Sequence, residues 1–267
     1  MENLSAMGRI FYGIAIAGMG VQTVYYHSFP YILPIPEHAW KAGVLILAYG
    51  FGILLMLAGA CFVLGKKARQ AGLLLGAILL LIFCFYYIPY QFLSNPNYRH
   101  FAEWENAEKE LALAGGAFVI AGCFSEKNEN PFSRFFAKLI PAGAIFFAIT
   151  ILSFGILHFL YGKAVTFLVP SWIPYPLFWI YFAGAALIGS GMAIILKIRT
   201  SLFSALLGTM IFLWFILLHI PRVVVASIDD KGGELTSAFL ALAYSGIAFV
   251  IAGAVKKVGS TVRNSSP

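Results

Sequence analysis

Charge is scarce in this chain. Asp, Glu, Lys and Arg make up 11% of its 267 residues, against roughly 25% in a soluble domain. Hydrophobic residues reach 61%, where about 45–50% is usual. Together these departures exclude an ordinary water-soluble domain. Cysteine is scarce as well. Cys61, Cys84 and Cys123 lie singly in apolar stretches, with no CxxC pair. Three scattered thiols give no disulfide framework and no zinc site; they read as small apolar side chains. The phosphate loop GxxxxGK followed by Ser or Thr, the zinc motif HExxH and the nucleophile elbow GxSxG are all missing, which removes those enzyme classes. There is no haem, nucleotide or metal motif. Period-2 alternation is missing too, so the apolar stretches read as helices rather than strands.

What is present is apolar length. Eight stretches stand out: 9–27, 42–65, 71–93, 109–125, 139–161, 177–196, 202–220 and 236–255. Most approach the ~20 residues that cross ~30 Å of hydrocarbon as a helix. The first carries Ala15-Ile16-Ala17, which imitates a signal-peptidase site. Its counterpart at 139–161 is internal, so the first stretch is expected to remain in the mature protein. The 25 Phe and 13 Tyr suit wide lipid contact and interfacial belts.

The hexapeptide Ala117-Phe118-Val119-Ile120-Ala121-Gly122 recurs unchanged as Ala248-Phe249-Val250-Ile251-Ala252-Gly253. Gly52, Gly59, Gly76 and Pro89 recur as Gly184, Gly191, Gly208 and Pro221 at one offset of 132. Glu103 meets Glu234 at 131, the offset of the hexapeptide, and Gly20 meets Gly155 once small gaps are allowed. A period this long reads as a duplicated unit. We expect a first four-helix repeat over 1–125, a linker over 126–138, a second repeat over 139–257 and a polar tail over 258–267.

The formal charge of +7 is placed as a topology signal. One set of loops, with the termini, holds 12 basic residues (Arg9, Lys66, Lys67, Arg69, Lys127, Arg134, Lys138, Lys197, Arg199, Lys256, Lys257, Arg263) against Glu2, Glu126 and Glu129. The opposite set holds 6 basic and 8 acidic residues. The positive-inside rule places both termini in the cytoplasm. With four helices per unit, the halves enter the membrane in the same direction, as parallel repeats. The expected fold is therefore all-α: eight transmembrane helices as two parallel-repeat four-helix bundles in a lipid bilayer. Nucleic acid is not an expected partner.

Polar side chains are costly in hydrocarbon and therefore informative. They collect at the outer ends. His27 ends the first stretch, Tyr86, Tyr87 and Tyr90 the third, and Glu103, Trp104, Glu105, Glu108 and Glu110 lead into the fourth. In the second half, His158 lies a turn inside its stretch, His219 and Arg222 end the seventh, and Glu234 opens the eighth. By the offsets, Tyr87 corresponds to His219, Tyr90 to Arg222 and Glu103 to Glu234. The candidate ligand set is His158, His219, Arg222, Glu234 and Trp172, with Tyr87, Tyr90, Glu103 and Trp104 as the first-half counterpart. Arginine offers a fixed charge to an anionic or carbonyl-bearing ligand, and histidine offers a titratable proton. Bland alternatives stand beside this reading: Glu103 and Glu234 as helix N-terminal charges, the tyrosines as belt residues, the histidines as hydrated interfacial side chains. His27 and His158 do not align, which speaks against a symmetric two-histidine haem site. Two apolar, proline-broken segments, 29–36 and 165–176, are expected at the membrane surface as short interfacial helices or plug-like segments, with ordinary interfacial loops as the alternative, and Trp40 and Trp172 at headgroup depth. The second is expected to roof the site over 170–176.

Gly155-Ile156-Leu157-His158-Phe159, then Val169-Pro170-Ser171-Trp172-Ile173-Pro174-Tyr175-Pro176, then Tyr181 and Gly184 to Gly191 resemble the DoxX-like membrane proteins. Glu103-Trp104-Glu105-Asn106-Ala107-Glu108-Lys109-Glu110-Leu111-Ala112-Leu113-Ala114-Gly115-Gly116 does so in the first half. The family unit is a four-helix membrane bundle, and the resemblance covers nearly the whole chain. It implies a bacterial cytoplasmic membrane location and a role beside redox or stress proteins; some relatives are subunits of a thiosulfate:quinone oxidoreductase. The first half departs from the pattern, with Thr23 near the expected His and no Trp in its proline-rich loop. Two classes of function stay open. One is a quinone-linked or redox accessory subunit with a membrane or extracytoplasmic redox partner. The other is a non-enzymatic small-molecule transporter or membrane scaffold.

Overall fold

A chain in hydrocarbon must close its own backbone hydrogen bonds, and among the described residues this one does so mostly as helix. The computed structural model describes residues 2–32, 41–126 and 130–263. The expected placements of Pro34, Pro36, Trp40, Lys127 and Glu129 lie outside the described residues. The order begins α1 (Glu2–Tyr25), α2 (Lys41–Leu64) and α3 (Ala68–Ile82). A π-helical turn, Phe83–Tyr87, carries α3 without a break into α4 (Ile88–Leu93). A 3-10 turn (Phe101–Trp104) leads into α5 (Glu105–Gly122), and the short α6 (Pro131–Ala137) follows. The second half runs α7 (Ile140–Tyr161), a 3-10 turn (Thr166–Leu168), α8 (Pro176–Ile195) and α9 (Thr200–Trp214). A second π turn, Phe215–His219, joins α9 to α10 (Ile220–Val225), and α11 (Lys231–Arg263) closes the order.

Seven of these helices, counting each π-joined pair as one, are long and apolar enough to cross a bilayer. The chain is a multi-pass membrane protein. The remaining long helix, α5, falls outside that set because Glu105, Glu108, Lys109 and Glu110 crowd its first turns. It is nonetheless sheathed by protein: Ala107 and every residue from Lys109 to Ala121 are buried. A helix apolar all round belongs in a core, and α11, buried over most of its apolar length, matches it.

Helix ends differ from the expected ones at several places. The stretch expected to stop at 220 continues through Pro221 to Val225, because the π turn absorbs the proline. The fourth begins at Glu105 rather than 109, since surrounding protein tolerates charges that lipid would reject. The linker 126–138 holds α6, capped by Asn130, whose Oδ1 accepts from the Ser133 N–H at 2.8 Å. Helix α11 continues to Arg263, into the stretch expected as tail.

Packing follows small residues, as expected where lipid supplies no hydrophobic drive between helices. α1 packs along α2 on one side and α11 on the other, while α7 packs along α8 and α5. α3 lies on α5, and α9 lies on α11. A β-carbon added to Gly246 would sit 2.6 Å from the Gly8 carbonyl, and one on Gly143 would sit 2.7 Å from that of Gly115. Phe118 fills the space at Gly76, and Phe249 fills it at Gly208. Hydroxyl and amide groups add ties: Gln22 Nε2 donates to Gly232 O and Thr236 Oγ1 at 2.7 Å each, and Thr150 Oγ1 to Glu108 O at 2.7 Å. The α2–α3 and α8–α9 turns share a device, Lys67 and Arg199 at positive φ of 55° and 41°.

Candidate functional site

Proline builds the site. Pro221 has no N–H to donate, and its ring pushes away the carbonyl four residues back. The helix widens for one turn, so that the Ile220 N–H reaches Phe215 O, five residues back. Pro89 produces the same turn in the first half, with Ile88 N–H on Phe83 O. Such π turns commonly serve functional positions. His219 ends one and Tyr87 ends the other.

His219 lines a cavity of about 320 Å³. Ile151, Phe154, Trp179, Ile211, Trp214 and Leu240 supply apolar wall. His158 and Tyr244 join His219 as polar members. His158 Nδ1 lies 2.7 Å from Phe154 O. A carbonyl only accepts, so that nitrogen carries the proton, and the neutral ring keeps Nε2 as an acceptor. The Tyr244 hydroxyl and His219 Nδ1 are both buried without a hydrogen-bond partner. Buried polar atoms are normally paired, so two unpaired ones on the wall of one cavity are informative.

The first half also reaches this cavity. Tyr31, Glu105 and Lys109 line it at its exposed end. Lys109 Nζ lies 2.6 Å from Glu105 Oε1 and 4.9 Å from the Tyr31 ring centroid. Tyr31 Oη lies 3.2 Å from Ser237 Oγ. Just behind, Ser153 Oγ lies 2.7 and 2.6 Å from the two Glu108 carboxylate oxygens.

Of the residues singled out from the sequence, His158 and His219 share the cavity wall. Arg222 and Glu234 do not line it; they pair with each other, Nε donating to Oε2 at 2.9 Å and Nη2 to Oε1. This fork ties α10 to the first turn of α11. Trp172 stands apart, 65% exposed. It belongs to a neighbouring apolar cavity of about 380 Å³ that also holds Phe182 and shares Trp179 and Trp214 with the histidine cavity. Leu168 and Val169, just before the expected 170–176 roof, line the histidine cavity instead. In the first half Tyr87 is buried with its hydroxyl unpaired. Tyr90 stacks on Tyr86 with centroids 6.1 Å apart. Glu103 accepts from Asn95 Nδ2 at 3.1 Å, and Trp104 Nε1 donates to Tyr98 O at 2.8 Å, so both brace the loop before α5. His27 takes a positive φ and meets Tyr49 Oη at 2.8 Å through Nδ1.

A small void of about 10 Å³ in the first half is lined by residues that the sequence offsets align with part of the large cavity's wall. Ile16 and Met19 stand where Ile151 and Phe154 do, 135 residues on. Phe51, Leu55 and Leu79 stand for Ala183, Leu187 and Ile211, at 132. Glu110 and Leu113 stand for Ala241 and Tyr244, at 131. Thr23 donates to Met19 O at 2.7 Å, the bond His158 makes to Phe154. Phe51 and Glu110 fill the space that two alanines leave open in the second half. The pairing of Glu105 with Lys109 could have been suspected from their (i, i+4) spacing; Tyr31 and Tyr244 carried no such signal. Compared with known proteins, the chain matches no family model, no curated protein and no solved structure.

Proposed function

We propose that the second-half cavity binds a small lipophilic ring bearing oxygen, of the quinone class, and that the chain is an accessory subunit of a membrane redox system. The observation that carries this reading is the trio His158, His219 and Tyr244 among the apolar and aromatic walls of a cavity whose charged groups, Glu105 and Lys109, pair with each other. A neutral His158 Nε2 accepts from a quinol hydroxyl. The Tyr244 hydroxyl donates to a carbonyl, and Trp179 and Trp214 wall the ring. A volume of about 320 Å³ lies at the small end of ligand pockets; it suits a ring headgroup, leaving a long tail to the bilayer. The DoxX-like resemblance supports the same class, with a membrane or extracytoplasmic redox protein as partner.

Retention of co-purifying quinone, read by mass spectrometry of the lipid extract, tests this. His158→Ala is expected to lower retention about tenfold, ~1.4 kcal/mol, the upper end for one neutral hydrogen bond. Thr23→Ala leaves retention unchanged. Wild-type protein carrying no more quinone than an unrelated membrane protein sinks the reading and favours the transporter or scaffold.

The architecture we propose beneath this site is a tandem four-helix unit in parallel orientation, with α5 as the eighth span and both termini cytoplasmic. The matched glycine contacts, the paired π turns and the cavity walls aligned by the offsets support the duplication. The basic loops support the orientation. A reporter active only in the cytoplasm is expected to be active when fused after Lys66 and after Lys257. Silence at either position overturns the topology.

A further inference from the structure

We infer that Glu110 is a proton-binding site in the first half, holding a proton in the resting protein and exchanging it through the void beside it. Among the described residues Glu110 is the only acidic side chain that is fully buried, at 1% exposed, and neither of its carboxylate oxygens has a hydrogen-bond partner. The void it lines, about 10 Å³, is otherwise walled by apolar groups such as Ile16, Met19, Phe51, Leu55 and Leu79. An unpaired carboxylate in such surroundings is far costlier than the neutral acid. Ionisable residues in a membrane interior mark functional positions by default.

The ionisable groups within electrostatic reach of Glu110 are tyrosines: Tyr12 from α1, Tyr87 from the π turn and Tyr244 from α11. The Tyr12 hydroxyl is spent on Leu113 O at 2.7 Å, while those of Tyr87 and Tyr244 are unpaired. α2 and the segment after α1 contribute apolar groups, Phe51, Leu55, Pro30 and Ile32. Lys109, the neighbouring cation in the chain, is turned to Glu105 and Tyr31. No charge compensates Glu110, which leaves the proton as its partner. A void of this size is about that of one water, enough for a proton to be handed on. A purely space-filling role would be met by Leu or Gln. Alanine stands at the matching position 241, so the chain has a simpler apolar solution in its own second half.

The test uses the full chain in lipid nanodiscs. Dicyclohexylcarbodiimide, a membrane-soluble probe, reacts with protonated carboxyls: the carboxyl oxygen adds to the carbodiimide carbon and the proton passes to a nitrogen, so the adduct keeps every atom of both. Peptide mass spectrometry is expected to place the adduct on Glu110, with labelling reduced at least tenfold in Glu110→Gln. Labelling is expected to slow as pH rises and to be indifferent to sodium. Infrared difference spectra at neutral pH are expected to show a protonated-carboxyl band that disappears in Glu110→Gln, whether or not the probe can enter. Protection by sodium but not choline makes the site a cation site and overturns the inference. So does an infrared spectrum with no Glu110-dependent carboxyl band.

Discussion

Ala183→Phe is expected to abolish ligand retention by the second-half cavity, a loss of at least 100-fold or about 2.7 kcal/mol. The chain itself supplies the comparison. By the sequence offset Phe51 stands at the matching place in the first half, where the space is about 10 Å³ against about 320 Å³. A phenylalanine on α8 enters the cavity between the walls of α7 and α9 and occupies the place of the ring. Overpacking a filled core costs about 1–3 kcal/mol; here the new side chain enters open space, so the thermal midpoint should shift little. Binding of a soluble short-chain quinone, followed by quenching of tryptophan fluorescence, reads the result. Trp179 and Trp214 line the cavity and report directly. Undiminished quenching in Ala183→Phe puts the ligand elsewhere, with the adjoining Trp172 cavity, which shares both tryptophans, the first place to look.

Glu234→Ala should be the most destabilising single change at this end of the molecule. The Arg222–Glu234 fork is partly buried, with side chains 29% and 18% exposed. Breaking a fully buried pair costs about 3–5 kcal/mol because one charge is stranded. Partial hydration at this site lowers the expected cost to about 1–3 kcal/mol, between that limit and an exposed pair. The fork also holds α10, the short arm beyond the π turn, against α11. Its loss should therefore loosen His219 as well as lower stability. Replacing both partners with Met and Leu should recover most of the stability, since no charge is then stranded. A double-mutant cycle on thermal unfolding checks this; a double variant no better than Glu234→Ala refutes it.

The helices were legible because hydropathy alone marks them. Their ends were less so, and the reason is the same at each. Pro221 and Arg222 read as a stop, yet a widened turn lets the helix pass a proline. Glu105 and Glu108 read as a loop, yet α5 is clothed by other helices and can carry them. His158 and His219 stood out as imidazoles in apolar surroundings, and they do share a wall. Arg222 and Glu234 were equally visible, but two opposite charges in reach of each other pair before they serve a ligand. Tyr31, Glu105 and Lys109 belong to the first half and reach a cavity of the second, a meeting set only by how the helices pack. Trp172 lines the neighbouring apolar cavity rather than the histidine one, a choice that a tryptophan near prolines does not signal in sequence.

The neighbours of α1 bear on how the chain is made. α1 is made well before α11, and α11 covers one of its two main flanks, the one touched by Gly8. α5 likewise finds α7 only after the second half has begun. Contacts this distant in sequence form late and slow assembly. Until α11 is made, α1 therefore presents an open, glycine-notched flank to lipid or to an insertion chaperone. A chain arrested before α11 leaves that flank open permanently, which makes it a natural mark for membrane quality control.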